Sequence, residues 1–287
     1  MNRGKTALVT GASSGFGLLI ALELARRGYR VAASMRSPEK GTELLRLAEQ
    51  EGLRPQIEIV RLDVTDPASV AAAAQAVLAR CGGRLDVLVN NAGTAVGGFI
   101  EEVPTEAWRE QLETNFFGLV AVTRAFLPAM RLQAGGRIIQ IGSVSGLMGM
   151  PGFGPYAASK FAVEGFSESL RHEVARYGIG VALVEPGSFR TAIWDKGLSA
   201  MHSRPGPESP YRAELDALLA YVKRTADTAP DPQQVADLVG RLADSRKLRR
   251  LRYPVGRGAR LLRPGSALLP WALLEATIRR ALRPRKR

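Results

Sequence analysis

The 287-residue sequence predicts an α/β fold in which helices cover both faces of a mostly parallel β-sheet. Apolar runs alternate along the chain with segments whose apolar residues recur at a helical period. Several runs, such as V-L-V at residues 87–89, are apolar throughout, which is typical of strands buried on both faces. A glycine-rich stretch also joins the first run directly to a helical pattern.

Seven segments have the length and composition of strands. They lie at residues 5–10, 30–35, 56–64, 85–90, 137–142, 180–185 and 250–255. Helices are predicted at residues 15–28, 39–51, 67–80, 105–131, 155–177 and 232–244, with a basic amphipathic helix at 266–283. Gly11, Asp63, Asn91 and Ser143 fall at the carboxyl ends of predicted strands, so we expect them to meet at the sheet edge where such folds bind ligands.

The first strand leads into T-G-A-S-S-G-F-G at residues 10–17. Gly11 allows a tight turn, Gly15 lets the backbone approach a pyrophosphate, and Gly17 lets the helix pack closely on the strand. The N–H groups at the start of that helix can then face anionic oxygens. An ordinary glycine-rich turn is the alternative. The order of strand, turn and helix favours a Rossmann-type, doubly wound sheet.

Tyr156 and Lys160 lie four residues apart in Y-A-A-S-K, downstream of Ser143. Residues i and i+4 share one face of a helix, so the Lys160 ammonium is expected to approach the Tyr156 phenol. A nearby cation would lower the phenol's pKa from about 10 and make it a usable acid or base. Chance spacing on a solvated helix face is the alternative for this pair alone.

Together with N-N-A-G at residues 90–93, these motifs resemble the short-chain dehydrogenases/reductases, single-domain Rossmann enzymes that use a nicotinamide cofactor. The resemblance covers residues 4–256 and implies a catalytic tetrad of Asn115, Ser143, Tyr156 and Lys160. In this tetrad Tyr156 exchanges the proton and Ser143 polarises the substrate oxygen. Lys160 holds the nicotinamide ribose, and Asn115 anchors a water or, alternatively, repairs a helix irregularity.

Within the family, G-L-M-G-M-P and Y-A-A-S-K-F-A-V-E-G-F are similar to the hydroxysteroid and retinol dehydrogenase branch. The resemblance also implies a cofactor site along the strand ends. Its predicted residues are Gly11, Ser13, Ser14, Gly15, Phe16, Gly17, Arg36, Asp63, Val64, Asn91, Ala92, Gly93, Tyr156, Lys160, Pro186, Gly187 and Thr191. Asp63 is placed beside the adenine. Capping of the next helix is its alternative, although Asp66 before Pro67 suits that role better.

The end of the second strand reads A-S-M-R-S and has no acid, whereas NAD-binding chains commonly place a carboxylate on the ribose there. Arg36 offers a guanidinium to a 2′-phosphate, with Ser14, Ser34 and Ser37 as further donors. NADP(H) is therefore predicted over NAD(H), and NAD(H) stays open. Arg36 stacked on the adenine as a solvated loop residue is the alternative.

The residues flanking the tetrad are mostly apolar, so the predicted reaction interconverts a carbonyl and an alcohol on a steroid, retinoid, lipid-like or aromatic substrate. The predicted pocket consists of Val96, Ser143, Met148, Phe153, Ile193 and Trp194. Ordinary core packing is the alternative for its apolar members. Residues 188–213, rich in Ser, Pro and Gly, are expected to form a mobile lid with His202 exposed on it.

The composition suits one large core in a reducing cytosol, since 46% of the residues are hydrophobic. A single cysteine, Cys81, excludes an internal disulfide, and two histidines without a cysteine cluster argue against a structural zinc site. The first strand begins within five residues of the start, and no apolar run reaches about 18 residues. Neither a signal peptide nor a membrane span is expected.

The net charge of +13 resides in the C-terminal segment, because residues 241–287 contain 15 Lys/Arg and 2 Asp/Glu while residues 1–240 contain 25 of each. The chain is therefore divided into a dehydrogenase domain, 1–256, and a basic amphipathic extension, 257–287. Residues 266–287 could lie on an anionic membrane, with Trp271 at the headgroups, or pack against the domain or a second subunit. Nucleic acid is the least favoured partner.

Helices at 105–131 and 155–177 are expected to build a homodimer or homotetramer, as they often do in the family. A rival function is a noncatalytic nucleotide-binding scaffold, tethered to membrane or nucleic acid by the basic tail. The intact tetrad argues against it, because a scaffold has no need of Tyr156, Lys160, Ser143 and Asn115 together.

Overall fold

Seven strands form one parallel sheet in the computed structural model, which describes residues 4–189, 209–260 and 268–282. The strands are β1 (Thr6–Thr10), β2 (Arg30–Met35), β3 (Ile57–Arg61), β4 (Val87–Asn90), β5 (Gly136–Ile141), β6 (Ile179–Pro186) and β7 (Arg252–Val255). Their order is β3-β2-β1-β4-β5-β6-β7, so the chain starts in the middle of the sheet and winds outward in both directions. The predicted doubly wound, Rossmann-type fold is confirmed.

Helices cover both faces of this sheet. They are α1 (Gly15–Arg26), α2 (Thr42–Gln50), α3 (Pro67–Arg80), α4 (Thr105–Leu112), α5 (Gly118–Leu132), α6 (Gly154–Val174), α7 (Arg212–Asp227), α8 (Gln233–Asp244) and α9 (Trp271–Ala281). In the part of the chain that the structure describes, no helix combines the length and apolarity needed to cross a membrane.

Successive side chains of β1 point to opposite faces of the sheet and pack in different apolar clusters. Ala7 and Val9 belong to the apolar cluster packed under α1 and α8, whereas Leu8 belongs to the cluster under α3 and α5. All three side chains are almost completely buried. Burial on both faces explains why the central strands are apolar throughout, and each fully buried aliphatic side chain contributes about 1.5–3 kcal/mol.

The helix predicted at 105–131 is not continuous. A π-helical turn, Glu113–Phe117, separates α4 from α5. The amide of Asn115 in that turn bonds the loop after β4 instead of facing solvent, and π-bulges of this kind are frequent at functional sites. The strand predicted at 56–64 is also shorter, because β3 ends at Arg61 and the chain then turns into the Asp63 loop.

α7 was not predicted from the sequence. It packs over the loops instead of the sheet, with Leu215 and Leu218 buried against Phe99 and Phe153. The end of α9 contacts the same region. Leu282 packs on that cluster, and the Arg224 guanidinium donates to the carbonyl of Ala281 at 3.2 Å. The division of the chain at residue 256 remains a prediction.

Candidate active site

One cleft of about 780 Å³ runs along the carboxyl ends of the strands. It brings together most of the predicted site, as parallel strands require. The predicted residues that line it are Gly11, Ser13, Ser14, Gly15, Phe16, Arg36, Asp63, Val64, Asn91, Ala92, Gly93, Val96, Ser143, Tyr156, Lys160, Pro186 and Gly187. Gly17 and Asn115 lie beneath its surface. Thr191, Ile193, Trp194 and His202 fall outside the described residues.

The glycine turn has the geometry that its sequence predicts. Gly11 and Gly15 adopt φ values of 67° and 57°, which side chains disfavour. A Cβ on Gly17 would lie 2.3 Å from the Gly11 carbonyl oxygen, so α1 packs directly on the turn. Ser14 is the N-cap of α1 and its hydroxyl does not cap the helix, which leaves that hydroxyl facing the cleft. This cradle fits a pyrophosphate.

The N-N-A-G segment fastens β4 to the glycine turn. The Thr10 hydroxyl accepts hydrogen bonds from the backbone N–H groups of Asn91 and Ala92, both at 2.9 Å. The Asn91 amide donates to the carbonyl of Thr10 at 2.8 Å and to that of Gly11 at 3.2 Å. Asn90 is buried and donates to Thr123 and Gln140. The segment therefore fixes the cleft floor.

Two cations flank the outer end of the cleft, where β2 finishes. Arg36 and Lys40 both line it and are exposed, and among the described residues neither is paired with a carboxylate. Ser37 also lines this end, but Ser34 does not: it is fully buried and its hydroxyl donates to the carbonyl of Val9 at 3.2 Å. The expectation that Ser34 serves as a phosphate donor is therefore wrong.

Asp63 lines the same cleft as these cations. Its Oδ1 accepts from the backbone N–H and the hydroxyl of Thr65, which forms a local turn and leaves the residue on the cleft wall. Helix capping belongs to Asp66, whose carboxylate accepts from the N–H of Ala68 at 2.9 Å, before Pro67.

Tyr156, Lys160 and Ser143 meet at the inner end of the cleft and are all buried. Lys160 Nζ donates to the carbonyl of Ile141 at 2.8 Å and lies 5.6 Å from the centroid of the Tyr156 ring. Burial lowers the pKa of Lys160 to about 8, while the nearby Glu164 raises it. The lysine is thus mostly an ammonium at neutral pH.

Burial raises the pKa of Tyr156 above its ordinary value, and the hydrogen bond with Ser143 opposes that rise. The lowering by Lys160 that the spacing predicts is not a feature of this geometry, because Nζ bonds the Ile141 carbonyl and desolvation of the phenol dominates. Tyr156 is therefore arranged to hold its proton at neutral pH.

Asn115 reaches the site indirectly. Its Oδ1 accepts from the N–H of Thr94 at 2.8 Å, and its Nδ2 donates to the Thr94 carbonyl and to the Ser159 hydroxyl. Ser159 in turn donates to the carbonyl of Tyr156 at 2.7 Å. The side chain thus joins the β4 loop to α6, next to Tyr156. A water anchored by Asn115 stays a prediction.

Two loops beside the cleft are joined to each other. The N–H of Gly98 donates to the carbonyl of Gly152 at 2.9 Å, and Gly98 forms a β-bridge with Phe153. Phe153 packs with Phe99 in the apolar cluster under α7, and Met148 is half-buried. Neither Phe153 nor Met148 lines the cleft itself, so their role as substrate contacts stays a prediction.

The sequence model of the short chain dehydrogenase family matches residues 5–201, the region that contains this cleft. The chain belongs to the short-chain dehydrogenase/reductase family. It is an NAD(P)-dependent oxidoreductase of the branch that contains retinol and hydroxysteroid dehydrogenases.

This short-chain dehydrogenase is 47% identical to the oxidoreductase YusZ of Bacillus subtilis over 282 residues, which cover 98% of the chain and 99% of the relative. It is 38% identical to human retinol dehydrogenase 5 over 286 residues, covering 94% and 86% of the two chains. A solved variant of actinorhodin polyketide ketoreductase with NADPH superimposes with a TM-score of 0.73 at 33% identity, covering 89% and 97%.

Sequence reasoning missed several residues that line or adjoin the short-chain dehydrogenase cleft, among them Phe189, Lys40 and Gln111. Phe189 lines the cleft and stacks edge-on with Phe16 at a centroid distance of 5.5 Å. Lys40 stands beside Arg36. Gln111 is fully buried and bonds both the N–H of Val96 and the carbonyl of Thr94. Of these three, only Gln111 carried a signal, because it precedes Asn115 by four residues and shares its helix face.

Proposed function

We propose that this short-chain dehydrogenase is an NADP(H)-dependent enzyme that interconverts a carbonyl and an alcohol on an apolar substrate. The observation that carries the proposal is the shared cleft, with Tyr156, Ser143 and Lys160 at one end and the cations Arg36 and Lys40 at the other. Human retinol dehydrogenase 5 and the NADPH-bound ketoreductase are consistent with an apolar substrate and a 2′-phosphorylated cofactor.

In the proposed mechanism the nicotinamide ring, when bound, supplies the hydride chemistry. Gly11, Gly15 and Ser14 would hold the pyrophosphate, Arg36 and Lys40 the 2′-phosphate, and Lys160 the nicotinamide ribose. Ser143 donates a hydrogen bond to the substrate oxygen and orients the carbonyl. Tyr156 gives its proton to that oxygen during reduction and takes it back during oxidation. The phenol is protonated at neutral pH, which is the form that can donate the proton during reduction.

The decisive variant is Tyr156→Phe, which removes the proton donor and little else. We expect turnover of NADPH with a panel of apolar ketones and aldehydes to fall by at least about a hundredfold. NADPH affinity, read by its fluorescence, should stay near the wild-type value. The matched control is Tyr177→Phe, whose exposed hydroxyl contacts Arg176 outside the cleft. Undiminished turnover in Tyr156→Phe would refute the mechanism.

We propose further that the enzyme assembles as a homodimer through α5 and α6 and touches anionic membranes through α9. Two large aromatic side chains are exposed in this region: Phe117 on the π-helical turn beside α6, and Phe161 on α6 itself. At the start of α9, Leu268, Leu269, Trp271 and Leu273 are exposed together, while Arg279 and Arg280 occupy its last turn. Exposed apolar residues combined with a basic end suit an interfacial helix.

A further inference from the structure

The loop after β4 forms part of the cleft wall, although residues 91–97 have no regular secondary structure. Thr94 and Val96 line the cleft, and Ala95 between them is buried. Side chains that alternate in this way are typical of extended backbone. An extended segment outside a sheet needs other partners for its N–H and carbonyl groups when it is partly buried.

Two side-chain amides supply those partners. Gln111 Oε1 accepts from the N–H of Val96 at 2.6 Å, and Gln111 Nε2 donates to the carbonyl of Thr94 at 2.9 Å. Asn115 Oδ1 accepts from the N–H of Thr94 at 2.8 Å, and Asn115 Nδ2 donates to the same carbonyl at 3.0 Å. Gln111 lies near the end of α4 and Asn115 in the π-helical turn that follows. Together they replace the hydrogen bonds that a neighbouring strand would make.

The chemistry of position 111 is narrowly restricted. The Gln111 side chain is completely buried and has to offer one acceptor and one donor at its tip. A neutral amide offers both, whereas an ionised carboxylate only accepts and an aliphatic side chain does neither. A buried backbone group left without a partner costs about 1–3 kcal/mol. Hydrogen bonding therefore selects glutamine here, and side-chain volume alone would not.

The cofactor part of the same loop is held separately. The N–H of Asn91 donates to the Thr10 hydroxyl at 2.9 Å, and the Asn91 amide donates to the carbonyls of Thr10 and Gly11. None of these bonds involves Gln111. Loss of Gln111 should therefore release the segment around Val96 and leave the contact between the loop and the glycine turn in place.

We propose that Gln111 is a positioning residue that fixes Val96 in the cleft wall and thereby sets the affinity for the carbonyl substrate. Gln111 does not line the cleft itself and acts through the backbone of Thr94 and Val96. The inference rests on the proposed function for its effect on the reaction. Its hold on the loop rests on the hydrogen bonds alone.

A second glutamine provides a matched control at the opposite edge of the sheet. Gln133 Oε1 accepts from the N–H of Leu85 at 3.0 Å, and Gln133 Nε2 donates to the carbonyls of Leu85 and Gly135 at 2.7 Å and 2.8 Å. Leu85 precedes β4, so this contact lies at the amino ends of the parallel strands, away from the cleft. Gln133→Met removes equivalent bonds with the same change of side chain.

The hold on the loop is tested by amide hydrogen exchange, measured by NMR in the full-length protein labelled with ²H and ¹⁵N. In Gln111→Met we expect the Val96 amide to exchange at least about tenfold faster than in wild type, and the Leu85 amide to keep its rate. Gln133→Met should show the reverse pattern. A Val96 amide that is equally protected in wild type and Gln111→Met would overturn the proposal.

The effect on the reaction is read from steady-state kinetics with NADPH and three probes: 2-decanone, decanal and acetophenone. Loss of about 1 kcal/mol of hydrogen bonding at the wall should raise the KM for the carbonyl about fivefold in Gln111→Met. We expect kcat to fall less than about threefold, because Asn115 still holds Thr94. NADPH affinity, read by fluorescence, should change less than about twofold, because Asn91 is held independently.

Gln133→Met should retain the wild-type value of each constant, even if it lowers the melting temperature as much as Gln111→Met does. Equal increases of the carbonyl KM in the two variants would show general damage to the fold and overturn the positioning role. An unchanged KM in Gln111→Met with a fast-exchanging Val96 amide would overturn it as well.

Gln111→Glu tests rescue by a side chain of the same shape. Its carboxyl still accepts from the Val96 N–H, so the amide should stay protected and the KM should lie closer to wild type than in Gln111→Met. If Gln111→Met fails to fold, Gln111→Asn takes its place, since its amide is one methylene too short to reach both partners. A wild type that reduces none of the probes would reject the proposed function, while the exchange rates would still sustain or overturn the hold of Gln111 on Val96.

Discussion

Tyr156 illustrates how burial affects the proposed proton donor. Its phenol is desolvated, which raises its pKa, and Ser143 only partly offsets the effect. A group that keeps its proton at neutral pH is a donor, and donation is the step needed when a carbonyl becomes an alcohol. This protonation state agrees with the proposed role of Tyr156 as the proton donor in carbonyl reduction.

The proposed preference for NADPH depends on one side chain, Arg36. Arg36→Asp replaces an unpaired guanidinium on the cleft with a carboxylate that would repel a 2′-phosphate. We expect the KM for NADPH to rise more than about tenfold, and that for NADH to change little. Steady-state kinetics with both cofactors provide the measurement.

Arg46→Asp serves as the control for Arg36, because Arg46 is exposed on α2 and pairs with Glu43 away from the cleft. Its NADPH constant should match that of wild type. An unchanged constant in Arg36→Asp would contradict the phosphate assignment.

Among single residues, the sequence predicted those whose role only one residue type can fill. Gly11, Gly15 and Gly17 are dictated by backbone geometry, and Tyr156 and Lys160 by chemistry and helical spacing. The sequence-based assignment of Ser34 to the cofactor site was wrong, because its hydroxyl donates to the carbonyl of Val9 on the neighbouring strand. The alternation of side chains along β2 does not indicate which of them face the cleft.

The contact between α1 and the glycine turn supports both stability and cofactor binding. In Gly17→Ala the new methyl group would meet the carbonyl of Gly11 at 2.3 Å and the Asn91 amide at 2.5 Å. Backbone cannot yield as a flexible side chain can, so we expect a loss of about 1–3 kcal/mol in the free energy of unfolding. NADPH affinity should fall as well. Urea unfolding and fluorescence titration measure the two effects.

Gly135→Ala is the comparison for Gly17→Ala, because nothing lies within 4 Å of the position that its Cβ would take. It should change the free energy of unfolding by less than about 0.5 kcal/mol. Equal effects of the two substitutions would count against the close-packing argument.

Elements that belong to the alternating strand and helix order could be predicted from the sequence, whereas α7 could not. Residues 212–227 have a helical period, but the helix packs on loops and leaves no mark in the strand pattern. The π-helical turn itself was not predicted, although a helix irregularity at Asn115 was the alternative role given to that residue. The turn lies where Asn115 forms its tertiary hydrogen bonds to Thr94. Periodicity reports which face is apolar and not what the face contacts.

The proposed dimer would bury aromatic side chains that are exposed to solvent in the single chain. Phe117 is 51% exposed and Phe161 is 47% exposed, on the π-helical turn and α6, two elements that pack against each other. Introducing a charge with Phe161→Glu should convert the dimer to a monomer in light scattering. Ile100→Glu, at an exposed residue in the loop before α4, should leave the mass unchanged. A monomeric wild type would reject the dimer.

The proposed contact of α9 with anionic membranes can be tested by vesicle co-sedimentation of the whole protein. Removing residues after Gly265 should abolish co-sedimentation with vesicles containing phosphatidylserine, and wild type should not sediment with purely zwitterionic vesicles. Trp271→Ser with Leu273→Ser is the sharper change, because these side chains are 65% and 54% exposed and support no core. Equal sedimentation of full-length and shortened chains would remove the membrane role.

The link from Gly98 to Gly152 and Phe153 carries an evolutionary implication. It joins two loops that are more than fifty positions apart in the chain, so a change that shifts the backbone of one loop should also displace the other. If substrates enter beside these loops, substitutions that alter substrate preference should tend to occur in pairs, one in each loop.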